Sequence, residues 1–213
     1  MSKLSNWNLK YFETGEWQVV QERLDDLKVA GILYNPSHKL IFRALEVTPF
    51  ESVRVVLMGQ DPYPNHNLAT GLAFSIPSGV VEFPASLKNI FKEYQDDLHY
   101  PEPTSGDLSD WAKRGVLLWN AFPTCLVGKA GSHHWIEWEF LTKEIVEKLD
   151  VRGDCVFALL GSYARGYTKY INNSPIVETS HPSPLGANKG FLGSRLFSTI
   201  NSNLKEPIDW RLS

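Results

Sequence analysis

The sequence predicts an α/β fold of three layers, α/β/α, with a central four-stranded parallel sheet covered by helices on both faces. Three observations carry this expectation. Four short apolar runs, at 53–58, 116–119, 155–160 and Ile176–Thr179, have the length and composition of strands buried on both sides. Segments with helical apolar spacing separate them, so consecutive strands are joined by crossovers and run parallel. Polar side chains sit at or just after the ends of these runs, where open α/β sheets bind ligands.

Taken in order, residues 12–27 carry helix-type apolar spacing. Residues 39–45 suggest a second helix entered from Asn35-Pro36-Ser37, whose Pro-Ser supplies an N-terminal signal. The run at 53–58 is the first buried strand. A third helix opens at Ser86-Leu87-Lys88-Asn89-Ile90-Phe91, with Pro84 and Ser86 near its start. The strand at 116–119 follows, then a helix over 138–149 and the strand at 155–160, closed by Gly161. Ile176–Thr179 leads into a loop containing His181, and a final helix is expected around 194–204. No repeat, low-complexity tract or long Gly/Ser linker divides the 213 residues, and 43% apolar composition suffices for one core. A single domain over 1–213 is expected.

Composition narrows the function classes. The segment Met1-Ser2-Lys3-Leu4-Ser5-Asn6 has no apolar secretory core, and no apolar run approaches the ~20 residues that span a bilayer. A soluble cytoplasmic protein without membrane association is therefore expected. Cys125 and Cys155 lie beside apolar neighbours and read as buried free thiols. His133-His134 suggests a metal, but adjacent residues point to different faces and no Cys or carboxylate spacing completes a ligand set. Neither metal nor cofactor is expected. The formal net charge of −3 counts mildly against nucleic acid, because backbone affinity comes from clustered Lys and Arg. Its distribution softens that objection: acids crowd Asp25-Asp26 and 93–110, whereas Lys189, Arg195 and Lys205 follow His181. A nucleotide-binding α/β protein is disfavoured because the chain has no Gly-rich phosphate loop.

Four segments look built for one crevice: Gly59-Gln60-Asp61-Pro62-Tyr63, Gly71-Leu72-Ala73-Phe74-Ser75, Leu117-Leu118-Trp119-Asn120 and His181-Pro182-Ser183-Pro184-Leu185. Each residue alone has an ordinary reading. Asp61 before proline and Asn120 at a strand end are common turn formers, and Phe74 suits a core. His181 could be any surface histidine, and Leu185 an isolated exposed leucine. Together, in this order and at these separations, the four segments resemble the signature of the family 1 uracil-DNA glycosylases. Ser86-Leu87-Lys88-Asn89-Ile90 and Gly115-Val116-Leu117-Leu118 extend the likeness, which runs from about Ile32 through Pro207-Ile208-Asp209-Trp210.

The resemblance implies a uracil-DNA glycosylase-like fold. It also implies an enzyme that flips uracil out of DNA and hydrolyses its N-glycosidic bond, leaving an abasic site and starting base excision repair. It assigns Asp61 to the attacking water and to the oxocarbenium-like sugar, and His181 to the uracil oxygen that gains charge. Asn120 would read O4 and N3–H, Phe74 would stack on the base, and Tyr63 would block the space of thymine's methyl. Gln60 would contribute backbone contacts to the pocket. Leu185 would wedge into the duplex, and Ser86 and Ser183 would grip flanking phosphates. The implied partners are uracil-containing DNA, single- or double-stranded, and a proteinaceous glycosylase inhibitor; the implied state is a monomer. A binding module on the same fold is the competing reading, but it would have no need of Asp61, Asn120 and His181 together.

Several departures from the family pattern stand out. Pro64 stands where members commonly carry histidine, Gly186 where serine follows the wedge leucine, and Trp119 where leucine is usual. Ser180 precedes His181 in place of alanine or proline, and 64–70 is less glycine-rich. These changes imply an altered grip on the DNA backbone and altered loop rigidity, with the reaction retained.

Overall fold

The computed structural model describes residues 2–212 and centres on four parallel strands. Met1, which begins the segment read above for a leader, lies outside the described residues. In chain order the elements are α1 (Glu16–Val29), β1 (Tyr34–Asn35), α2 (Arg43–Val47), β2 (Val55–Gly59), α3 (Ala85–Leu98), α4 (Ser109–Lys113) and β3 (Val116–Asn120). They continue with β4 (Cys125–Leu126), α5 (Trp138–Arg152), β5 (Val156–Leu160), α6 (Ser162–Arg165), β6 (Ile176–Thr179) and α7 (Leu196–Ser202).

The main sheet has the order β3-β2-β5-β6, with every neighbouring pair parallel. Each residue of β2, β3 and β5 is buried, which is why these strands read as unbroken apolar runs rather than alternating ones. β6 lies at the sheet edge and does alternate: Val177 and Thr179 are buried, Glu178 exposed. From β2 the chain crosses to β3 on one side, then returns past β2 to β5 and β6. Its direction reverses at β2, so the crevice of a doubly wound sheet opens beyond the carboxyl end of that strand.

Helices cover the sheet through apolar stripes. α3 buries Leu87, Ile90, Phe91 and Tyr94, and α5 buries Trp138, Leu141, Ile145, Val146 and Leu149, both at helical spacing. Left-handed residues end both helices, His99 (φ 56°) after α3 and Gly153 (φ 72°) after α5. Cys125 and Cys155 are buried free thiols, as the sequence suggested. No helix among the described residues is long and apolar enough to cross a membrane.

Two sequence expectations need correction, and two further features were not anticipated. The first helix starts only at Glu16, after a separate 3-10 turn at Lys10–Phe12. The helix expected over 39–45 is a 3-10 turn, His38–Leu40, followed by the short α2, and Ser37 makes no side-chain cap. An antiparallel ribbon of β1 and β4 was not anticipated, because two-residue strands are too short to show a period. The acid-rich stretch 93–110 contains carboxylates that hold the fold together. Glu93 is buried on α3 and accepts the Gly193 and Arg195 N–H groups, each at 2.6 Å, while Asp97 accepts Ser198 N–H at 2.8 Å. These carboxylates dock the start of α7 onto α3.

Candidate active site

The carboxyl end of β2 places Gly59 beside Asn120, its parallel partner at the end of β3. Gly59 has no side chain for a local reason. A Cβ there would lie 2.8 Å from Phe74 Cζ and 3.0 Å from Asn120 Oδ1, so the phenyl ring and the amide meet over this glycine. The turn continues through Gln60, whose carbonyl accepts Phe122 N–H at 2.8 Å, into Asp61-Pro62-Tyr63. The Gly71–Ser75 stretch is held against β3 by Ala73 N–H donating to Leu118 O at 3.0 Å. It carries Phe74 in a left-handed conformation, φ 63°, which costs on the order of 1–3 kcal/mol for a non-glycine residue. Surrounding contacts hold it there: Tyr63 Oη–H donates to Phe74 O at 3.0 Å, and Ser86 Oγ–H donates to Tyr63 Oη at 3.2 Å. Ser86, expected at a flanking phosphate, is thus also bonded to the tyrosine.

His181 follows β6 and lies against Gly161 at the end of β5. A Cβ at Gly161 would fall 2.9 Å from His181 Cβ, and the glycine's φ is +93°. Its ring centroid is 5.8 Å from that of Phe74, tilted by 46°. Ser183 N–H donates to His181 Nδ1 at 3.1 Å. A backbone amide can only donate, so Nδ1 is an acceptor and the ring proton of the neutral form sits on Nε2. Burial pushes the imidazole pKa below its ordinary value, which favours that neutral form.

Asp61 is half-buried. Burial lifts its carboxyl above the ordinary value, and the Gly131 N–H donated to Oδ2 acts in the opposite direction. Gly131 adopts φ +69°, and a Cβ there would lie 3.2 Å from Gln60 Nε2. Gly131 and Gly161 are site positions that the sequence reading did not single out. The only signal available was a glycine in a polar turn or after a strand, common to many loops.

The loop departures have structural explanations. Gly186 brings its backbone so close to His181 that a Cβ would stand 2.2 Å from the carbonyl oxygen. Ser180 Oγ–H donates to Gly186 O at 2.8 Å, and Asn89 Nδ2–H donates to Pro182 O at 2.7 Å. Gly186 and Ser180 therefore close the His181 loop on itself rather than loosening it. Leu185 stands 84% exposed on this pinned loop, beside the half-buried Ser183. Trp119 is buried with Nε1–H donating to Thr142 Oγ1 at 3.0 Å, and Thr142 Oγ1–H donates to Ala121 O at 3.0 Å. The larger ring ties the end of β3 to α5.

The paired histidines diverge. Trp138 Nε1–H donates to Thr124 Oγ1 (2.8 Å), and the same hydroxyl is hydrogen-bonded to Nδ1 of the buried His133 (2.7 Å). His134 is exposed and bonds Gly131 O through Nδ1 at 2.9 Å. Among the described residues no group of three or more His, Cys, Asp or Glu could hold a metal ion.

Candidate residues thus follow the ends of four neighbouring strands, Asp61 after β2, Asn120 on β3, Gly161 after β5 and His181 after β6, with Phe74 packed against Gly59 and His181. The family model for the uracil DNA glycosylase superfamily matches residues 46–205. A uracil-DNA glycosylase of Thermobifida fusca (strain YX) is 46% identical over 187 residues, covering 85% of this chain and 82% of its own. One from Coxiella burnetii (strain CbuG_Q212) is 45% identical, covering 100% and 96%. The crystal structure of mimivirus uracil-DNA glycosylase superposes with a TM-score of 0.88 at 27% identity, covering 95% of this chain and 84% of that one. A variant of the mimivirus protein in complex with UGI superposes at 0.84, with 25% identity and coverage of 95% and 86%. The chain belongs to the uracil DNA glycosylase superfamily.

Proposed function

We propose that this protein is a monofunctional uracil-DNA glycosylase, which hydrolyses the N-glycosidic bond of uracil in DNA and leaves an abasic site for base excision repair. The family match and the full-length relatives support the activity; the geometry supports the residue roles. One observation carries the mechanism furthest. The Ser183 amide on Nδ1 leaves His181 Nε2–H free to donate, on a ring packed against Phe74. As the bond from the sugar C1′ to uracil N1 breaks, the electron pair leaves with the base and its charge spreads onto the carbonyl oxygens. A fixed neutral donor stabilises that charge without reorganising.

On the sugar side, cationic character develops at C1′. The Asp61 carboxylate, with Oδ2 held by the Gly131 amide, stabilises it and takes the proton of the water that adds to C1′. Net consumption is one water per uracil released. Asn120 offers a donor and an acceptor to the pyrimidine edge, and Gln60 shapes the pocket through its backbone. Phe74 supplies a stacking face worth about 1–3 kcal/mol. Tyr63, tied through its hydroxyl to Phe74 and Ser86, closes the space where thymine carries its methyl. Leu185 fills the gap left by the flipped nucleotide, and Ser86 and Ser183 contact the flanking phosphates.

We further propose a cytoplasmic monomer of one domain over 1–213 that needs no metal. Uracil-containing DNA, single- or double-stranded, is its substrate, and the complexes of the mimivirus protein with UGI support a proteinaceous inhibitor as a partner. The test is to incubate the purified protein with a uracil-containing oligonucleotide in EDTA and score alkali-labile breaks. Breaks at uracil are expected; intact oligonucleotide would refute the activity, and breaks only after magnesium is restored would refute metal independence.

A further inference from the structure

We propose that Asn35 and Cys125, paired across the β1–β4 ribbon, are positioning residues that set the Asp61–Tyr63 turn by holding four consecutive main-chain carbonyls; this rests on the reading under Proposed function. Asn35 and Cys125 are directly opposite in the antiparallel register, so their side chains share one face. Asn35 Nδ2 lies 3.1 Å from Tyr63 O, 3.1 Å from Pro64 O and 3.0 Å from Asn65 O. Cys125 Sγ–H donates to Pro62 O at 3.3 Å. Both residues are buried.

The sequence of the turn makes such a clamp necessary. Pro62 and Pro64 have no N–H, so at these positions the main chain offers only carbonyl oxygens to anchor it. Where family members commonly carry histidine after the tyrosine, Pro64 removes a polar side chain, and the chain grips the same position from behind. Gly128 N–H, just beyond β4, adds a second bond to Pro64 O at 2.8 Å. The three carbonyls around Asn35 also fix its amide orientation, because Oδ1 in place of Nδ2 would face them with like partial charge.

Asp61 immediately precedes the clamped carbonyls and Tyr63 lies among them. Loosening the clamp should therefore move the carboxylate and the gate together, and a misplacement of about 1 Å can cost on the order of a hundredfold in rate. Asn35→Asp is the sharpest test, since it keeps the shape and replaces the donor by an acceptor facing three carbonyls. Uracil release would be followed under single turnover on a single-stranded oligonucleotide, with KM, thymine release from a matched oligonucleotide and the melting temperature measured alongside. The expected result is kcat lowered by about tenfold or more with KM changed less than about threefold, and increased thymine release. Asn35→Leu should fall between Asn35→Asp and wild type.

Wild-type kcat and discrimination in Asn35→Asp would overturn the proposal, as would losses that vanish when the assay is cooled to where the variant is fully folded. Should Asn35→Asp not fold, the cysteine decides. Cys125→Ala is expected to lower kcat about three- to tenfold, and Cys125→Ser, which keeps a donor toward Pro62 O, to restore it. Equal turnover in both would overturn the proposal. Wild-type protein that releases no uracil would instead defeat the reading of the activity itself.

Discussion

Gly59→Ala isolates preorganisation of the base slot from every other property of the protein. Gly59 does not have a positive φ, so alanine suits its backbone and nothing local resists the change. The perturbation is purely the added methyl, 2.8 Å from Phe74 Cζ, 3.0 Å from Phe74 Cε2 and 3.0 Å from Asn120 Oδ1. Ordinary contact requires roughly 3.4 Å or more, so ring and amide must each yield by about half an ångström. The ring cannot yield freely, because the Phe74 backbone is held at φ 63° by Tyr63 and by the Ala73–Leu118 bond. Overpacking of a close-packed site costs about 1–3 kcal/mol. If about 2 kcal/mol appears in the transition state, uracil release slows about thirtyfold. Single-turnover release from a single-stranded oligonucleotide, with a thermal melt to confirm folding, measures it. A folded variant within threefold of wild type would show that Phe74 and Asn120 do not bound the slot, and the geometric argument would fail.

Four further outcomes are expected. Asp61→Asn should lose about 4 kcal/mol of transition-state stabilisation, on the order of a thousandfold in rate. The wild-type acid limb should lie above the ordinary carboxylate range, because burial lifts the Asp61 pKa, and the variant should lose the carboxyl's part of that limb; a variant as fast as wild type removes Asp61 from the mechanism. Tyr63→Ala should release thymine from DNA, and unchanged discrimination would show that the gate lies elsewhere. Leu185→Ala should slow reaction on duplex more than on single strands, since only the duplex has a gap to fill; equal losses exclude the wedge. Finally, burial holds His133 down at about 4, below its unfolded value near 6.5, so the unfolded state binds its proton first as pH falls. Its contribution is complete above pH 6.5 and lost toward pH 4, with a ceiling of about 3 kcal/mol. The raised pKa of Asp61 works in the opposite sense. Urea unfolding at pH 7.5 and 5 should show a smaller difference in His133→Leu than in wild type.

The main strands were legible because β2, β3 and β5 are buried on both faces, and double burial leaves a continuous apolar run that needs no partner to be recognised. The strand-end positions of Asp61, Asn120 and His181 were legible as well, since their short segments follow or close the apolar runs. Other features depend on contacts that only the folded chain makes. The proton on His181 Nε2 follows from one backbone amide at Ser183. The carboxylate of Asp61 is oriented by an N–H from Gly131, 70 positions away. Gly186 looked like a lost hydroxyl, and only its approach to the His181 carbonyl shows that no side chain fits there. Nothing in the sequence showed that Glu93 and Asp97 accept backbone N–H groups at the start of α7. Apolar burial is a property of a segment and leaves a periodic trace. Hydrogen-bond direction and close backbone approach are set by the path the folded chain takes, and they leave no periodic trace in the sequence.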